Sequence, residues 1–127
     1  MKKITFLICS LLVSSSVFAQ RYTTEIYNDS EIAVMSDVSY GVNFNPYVDS
    51  ALWGGTNLQP LQADFYMPSP TVDTTTNRPV VIVWHTGSFL PKGINGSPLG
   101  TRQDSAVVEM CERFAKMGYV SIAASYR

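Results

Sequence analysis

Histidine and cysteine are scarce in this sequence. His85 is the only histidine in 127 residues, and Cys9 and Cys111 are the only cysteines. Without a His-rich cluster or a Cys pair there is no support for a metal site, and no cofactor is expected. There is no excess of basic charge either: 9 Lys+Arg stand against 10 Asp+Glu. Nucleic-acid binding therefore has no electrostatic footing. Internal repeats and low-complexity blocks are absent. The apolar run Ile4 to Val13, interrupted by Thr5, Cys9 and Ser10, is about half of the roughly 20 residues that a membrane-spanning helix needs.

That run belongs to a segment with its own logic. Lys2 and Lys3 precede it, and a small-residue stretch ending Val17-Phe18-Ala19 follows it. Positive, apolar and small regions in this order predict a secretory signal peptide, residues 1–19, cleaved after Ala19. An N-terminal membrane anchor is the alternative. Cys9 lies inside the apolar region rather than at its end, which argues against a lipoprotein. The expected location is secreted or periplasmic, with no membrane association after cleavage. The mature part keeps only Cys111, so an intrachain disulfide is impossible and a hydrophobic core must hold the chain. With 46% hydrophobic residues, such a core is feasible.

Residues 20–36 mix polar and apolar side chains without a firm period and read as an irregular lead-in to a domain over 37–127. Val38, Tyr40, Val42 and Phe44 alternate with polar or small residues, predicting a half-buried strand. Asp49 to Gln59, with Gly54-Gly55 and Asn57, reads as a loop. Leu61, Ala63, Phe65 and Met67 predict a second strand, stopped by Pro68-Ser69-Pro70. Val80-Val81-Ile82-Val83-Trp84 is apolar throughout and predicts a strand buried on both faces, as in a parallel sheet. His85 to Gly100 is a loop rich in Gly and Pro. Thr101-Arg102-Gln103-Asp104 has the form of a capping box. Val107, Met110, Cys111, Phe114 and Met117 then keep helical spacing, supported by the pairs Glu109/Arg113 and Glu112/Lys116, and Gly118 marks the helix end. Val120 to Ala124 is another apolar strand. The fold class is α/β: a mixed sheet with antiparallel first strands and then a parallel βαβ unit.

In open parallel sheets ligands bind beyond the carboxyl ends of the strands. The segment there is His85-Thr86-Gly87-Ser88-Phe89, and it resembles the His-Gly-Gly-Gly-Phe loop of α/β-hydrolase esterases and lipases. Cys111 to Val120, closed by Ser125-Tyr126-Arg127, resembles that family's first helix and fourth strand, and Leu61 to Pro68 its second strand. The resemblance covers roughly residues 38–127. It implies a sheet in which Val80–Trp84 forms an edge within this chain. It also implies an oxyanion hole in which the backbone N–H groups of Gly87 and Ser88 are donors. His85, Thr86 and Phe89 would support the loop, with His85 fixing it rather than acting as a base. Read without the resemblance, His85 is a strand-end histidine bonded to a backbone carbonyl. Two departures stand out: Thr86 and Ser88 replace glycines. A β-branched Thr86 resists φ > 0, and Ser88 adds a side chain where an acyl group would approach.

The family's Gly-x-Ser-x-Gly is missing. Asp37-Val38-Ser39-Tyr40-Gly41 comes nearest, but it falls within an alternating strand, so Ser39 reads as a polar strand residue. Cys111 lies on the apolar helix face and reads as a buried thiol. The nucleophile and its acid and His partners are therefore expected beyond Arg127. Asn28-Asp29-Ser30 and Asn95-Gly96-Ser97 match the glycosylation pattern, although Asn95 to Gly100 reads more readily as turns at the rim of the site. The resemblance implies the N-terminal part of a serine carboxylesterase acting on small-molecule esters through an acyl-enzyme, the chain itself being inactive. The alternatives are a non-catalytic secreted binding protein of the same fold, or a related peptidase or polyester depolymerase.

Overall fold

The computed structural model describes residues 21–44, 58–86 and 100–126. Among them are four strands, β1 (Ile32–Phe44), β2 (Leu58–Pro68), β3 (Val80–Trp84) and β4 (Val120–Ala124), and one α-helix, α1 (Ser105–Lys116). A single 3-10 turn, Asp29–Glu31, precedes β1. The four strands form one sheet in the order β1-β2-β4-β3. β1 with β2 and β2 with β4 are antiparallel, and β3 with β4 is parallel. The expected mixed sheet is present. α1 is the crossover between two parallel neighbours, and β3 lies at the edge.

The bounds of β3 and β4 coincide with the apolar runs. β1 differs from expectation. It begins at Ile32, so residues 32–36 belong to the sheet rather than to an irregular lead-in, and β2 extends back to Leu58 into the expected loop. The cause is two register shifts in β1, between Met35 and Val38 and between Ser39 and Gly41. Each inserts one extra residue and moves the following side chains to the other face. Val38 therefore pairs with Ala63, while Val42 pairs with Pro60 and takes the opposite side. The simple alternation from Val38 to Phe44 does not describe one buried face, and Val38, Tyr40, Val42 and Phe44 are exposed.

α1 begins three residues later than a Thr101 cap implies. Its N-cap is Asp104, whose carbonyl accepts the N–H groups of Val107 and Val108. Thr101 and Asp104 do bond each other, but in the turn before the helix. The Thr101 N–H donates to Asp104 Oδ2 at 3.0 Å and its hydroxyl to Oδ1 at 3.0 Å. The helix ends as Gly118 predicts. Gly118 has φ +98°, its N–H reaches the Ala115 carbonyl, and the Tyr119 N–H reaches the Phe114 carbonyl. That pair of bonds is a Schellman closure, which needs a left-handed residue at this position.

α1 covers one sheet face. Val107, Cys111 and Ala115 are buried against Tyr66 and Ala123, with Ile32, Val83 and Val108 at the margin. Ser121, fully buried beneath the helix, donates its hydroxyl to the Cys111 carbonyl at 2.6 Å. The other face explains why β3 is not buried on both sides. Val80, Ile82 and Trp84 are 57%, 49% and 61% exposed, and no α-helix lies over them among the described residues. Met110 is exposed as well. Arg113 and Lys116 pair with Glu25 and Asp29 rather than along the helix.

Those partners lie in the N-terminal segment, which seals the helix end. The N–H groups of Tyr22, Ile26 and Tyr27 donate to the carbonyls of Met117 and Lys116, three bonds to groups that a helix terminus leaves unpaired. Nearby, buried Asp73 takes ion pairs from Arg21 and Arg78 and accepts the Thr75 N–H. Burial alone would raise its pKa. The bonds from Arg21 and Thr75 outweigh that and hold the carboxyl well below its ordinary 3.8. A depressed carboxyl pKa stabilises the fold above the unfolded value and loses that contribution as pH falls through the folded one. Asp73→Ala is expected to destabilise the chain by about 3–5 kcal/mol at pH 7, because it strands two arginines. In urea unfolding, the gap between variant and wild type should narrow as pH is lowered below about 4.

Candidate functional site at the carboxyl ends of the parallel strands

β3 and β4 run in parallel and end together, with Trp84 beside Ala124. The residues that follow each strand meet there. The His85 ring stacks on the Tyr126 ring with centroids 4.4 Å apart and 12° between planes. The Tyr126 hydroxyl donates to the His85 carbonyl at 2.9 Å. His85 Nδ1 lies 2.8 Å from the Thr86 carbonyl oxygen, which can only accept, so Nδ1 carries the proton and a neutral ring leaves Nε2 as acceptor. The ring is thus held on both a face and an edge. His85 does bond a backbone carbonyl at a strand end. Thr86 keeps a negative φ; the non-glycine residues with positive φ among those described are Tyr22 and Asp37. Gly87, Ser88 and Phe89 lie outside the described residues.

The chain returns to the same spot at Gly100. A Cβ on Gly100 would sit 2.7 Å from the Thr86 carbonyl oxygen and 2.8 Å from Asp104 Oδ2. Thr86 and Gly100 are therefore in contact, and glycine permits the approach. Immediately after it, Arg102 reaches across the sheet ends. Its Nε donates to Asp64 Oδ2 on β2 at 3.0 Å, and its terminal nitrogens reach the Ser125 hydroxyl at 3.3 Å and the Asp37 carboxylate on β1. Asp64 Oδ1 accepts the Asp37 N–H at 2.8 Å. Asp37 has φ +59° at the first register shift, a conformation that aspartate tolerates better than most side chains. Ser125 also donates its N–H to the Gln62 carbonyl and accepts the Tyr40 hydroxyl. The sequence reading missed this network. Its one local signal was the charged residue Asp64 within an alternating strand.

The other candidate groups fall elsewhere. Ser39 lies in β1 with its hydroxyl 3.5 Å from the Gly41 carbonyl, and no strand-to-helix turn presents it. Burial pushes the Cys111 thiol up to about 11, against a smaller lowering by Ser121, so it stays protonated at neutral pH and is no nucleophile. Among the described residues no group of three His, Cys, Asp or Glu could hold a metal ion. A cleft of about 200 Å³ lined by Asp29, Ile32, Val34, Glu109, Glu112 and Lys116 sits at the opposite end of the parallel strands. There Val34 pairs with Tyr66, which pairs with Ser121 near the start of β4.

Compared with protein-family models, with curated proteins and with solved structures, the chain shows no match. The site therefore has to be judged on its own geometry. Gly100→Ala is expected to force the Thr86–Gly100 contact apart and to cost about 1–3 kcal/mol, as overpacking does. Urea unfolding of the variant beside wild type checks this.

Proposed function

We propose that this chain is the N-terminal part of a secreted carboxylic-ester hydrolase with an α/β-hydrolase fold. The observation that supports the reading is that His85 and Thr86 follow the carboxyl end of a parallel strand and that Gly100 lies against Thr86. The sheet order β1-β2-β4-β3, with β3 at the edge of the described sheet, supports the same reading.

Ester hydrolysis passes through a tetrahedral intermediate with a negative oxygen. Fixed backbone donors directed at that oxygen stabilise it, each by about 3–4 kcal/mol. In this proposal Gly87 and Ser88 supply such donors from their N–H groups, and His85, Thr86 and Phe89 support them. A serine nucleophile with its histidine and acid, in residues following Arg127, forms and hydrolyses the acyl-enzyme. No cofactor takes part, and the substrate is a small-molecule ester. A leader cleaved after Ala19 directs export to the periplasm or the medium.

The gene product that continues past Arg127 should hydrolyse p-nitrophenyl acetate and lose activity to a serine-directed phosphonate. Gly87→Pro should lower its kcat by about 100- to 1000-fold, the effect of losing an oxyanion donor. Purified residues 20–127 should show no turnover. Inhibitor-sensitive turnover by residues 20–127 would place the nucleophile within them. Ester binding without turnover by the longer product would favour a non-catalytic binding protein.

A further inference from the structure

We propose that residues 21–27 form a strap that opens and closes as one unit while the sheet and α1 stay folded. The proposal is independent of the esterase reading. Closed, the strap crosses the end of α1. Its Tyr22, Ile26 and Tyr27 N–H groups take the Met117 and Lys116 carbonyls. The Tyr119 hydroxyl donates to the Tyr22 carbonyl at 3.1 Å, and the two rings meet edge to face with centroids 5.0 Å apart. Arg21 pairs with Asp73, Tyr27 lies beside the same carboxylate, and Glu25 pairs with Arg113. The hinge is the turn before β1. The Ser69 N–H bonds the Glu31 carbonyl at 2.7 Å, so the chain is fastened to the sheet from that residue onward.

The strap can leave because the rest of the fold does not rely on it. No strap residue belongs to the buried cluster between α1 and the sheet, and Ile26 is exposed. Its departure leaves no buried charge alone, since Asp73 keeps the Arg78 ion pair and the Thr75 N–H. The Lys116 and Met117 carbonyls turn to water, as the last carbonyls of a helix can. The closed form also carries two costs. Tyr22 has φ +71°, a left-handed conformation disfavoured for a bulky side chain. The Arg21 Nε is buried with no hydrogen-bond partner among the described residues. Opening relieves both. Segments with few buried apolar contacts open at a lower free energy than the whole fold, in contiguous units.

The test follows amide exchange in the full-length gene product under native conditions. After correction for intrinsic rates, the Tyr22, Ile26 and Tyr27 amides should exchange through one shared opening, about 100-fold faster than the β4 amides of Ile122 and Ala123. Arg21→Gln should speed all three together by about 10- to 100-fold, the scale of a lost hydrogen bond to a charged group, and leave the β4 amides unchanged. Glu25→Gln, at an exposed pair, should speed them by less than about fivefold. If Arg21→Gln does not fold, Arg21→Lys carries the comparison, and wild-type exchange decides the main point without either. Protection of the three amides equal to that of β4 overturns the proposal, because the segment then opens only with the whole fold. Protection that rises stepwise from Tyr22 to Tyr27 overturns it as well, because the chain then frays residue by residue.

Discussion

Everything described here depends on how closely α1 lies against the sheet. The seam is built from small side chains: Cys111 and Ala115 on the helix, Ser121 and Ala123 on β4, all fully buried. Small residues let the backbones approach, and close packing then brings the Ser121 hydroxyl within 2.6 Å of a helix carbonyl. The parallel pairing of β3 and β4 needs a crossover packed on the sheet. The seam supplies it, and thereby determines where β3 and β4 end and where the chain re-enters the helix. Tyr66 from β2 and Val107 from the helix fill the remaining volume.

Polar ties then fasten the two ends of this unit, and they differ in kind. At the amino ends of the parallel strands, Asp73 gathers Arg21 and Arg78, the N-terminal segment satisfies the last helix carbonyls, and Tyr22, Tyr119 and Phe114 stack edge to face. Each of these contacts closes the structure on itself. At the carboxyl ends, the Arg102 network and the His85–Tyr126 stack hold the residues on either side of 87–99. Buried ion pairs are weak sources of net stability, because desolvation offsets most of the attraction. What they do well is specify one arrangement among several of similar energy.

The sequence was readable where one physical signal acted alone. Five consecutive apolar residues before His85 and a second apolar run at Val120 gave β3 and β4 to the residue, and helical spacing from Val107 with a glycine at the helix end gave α1 and its close, though not its start. β1 was misread because two bulges break its period, so the pattern from Val38 to Phe44 mixes two faces. The bonds that tie residues 22–27 to the far end of α1 were not read, because no local pattern records them. Burial of β3 was overstated because apolar character reports what a face requires, not whether anything covers it. The Arg102 network was illegible for a similar reason: its partners are 38, 65 and 23 residues away along the chain. That His85 stands at the carboxyl end of a parallel strand could be read because the strand's polarity fixes the end at which the following residue lies.

The contrast between the two ends bears on function more than any single side chain does. A parallel strand pair has a direction, and its two ends are not equivalent as places to build. Here the amino end is occupied by the chain's own N-terminal segment, which bonds the Lys116 and Met117 carbonyls, and by Asp73, which pairs with Arg21 and Arg78. At the carboxyl end, His85-Thr86 and Gly100-Arg102 are anchored independently and touch at Thr86 and Gly100. Burying Arg102 with Asp64 and placing Asp37 in a left-handed conformation carry a cost that a plain connection between β3 and α1, for which a few residues suffice, would not incur.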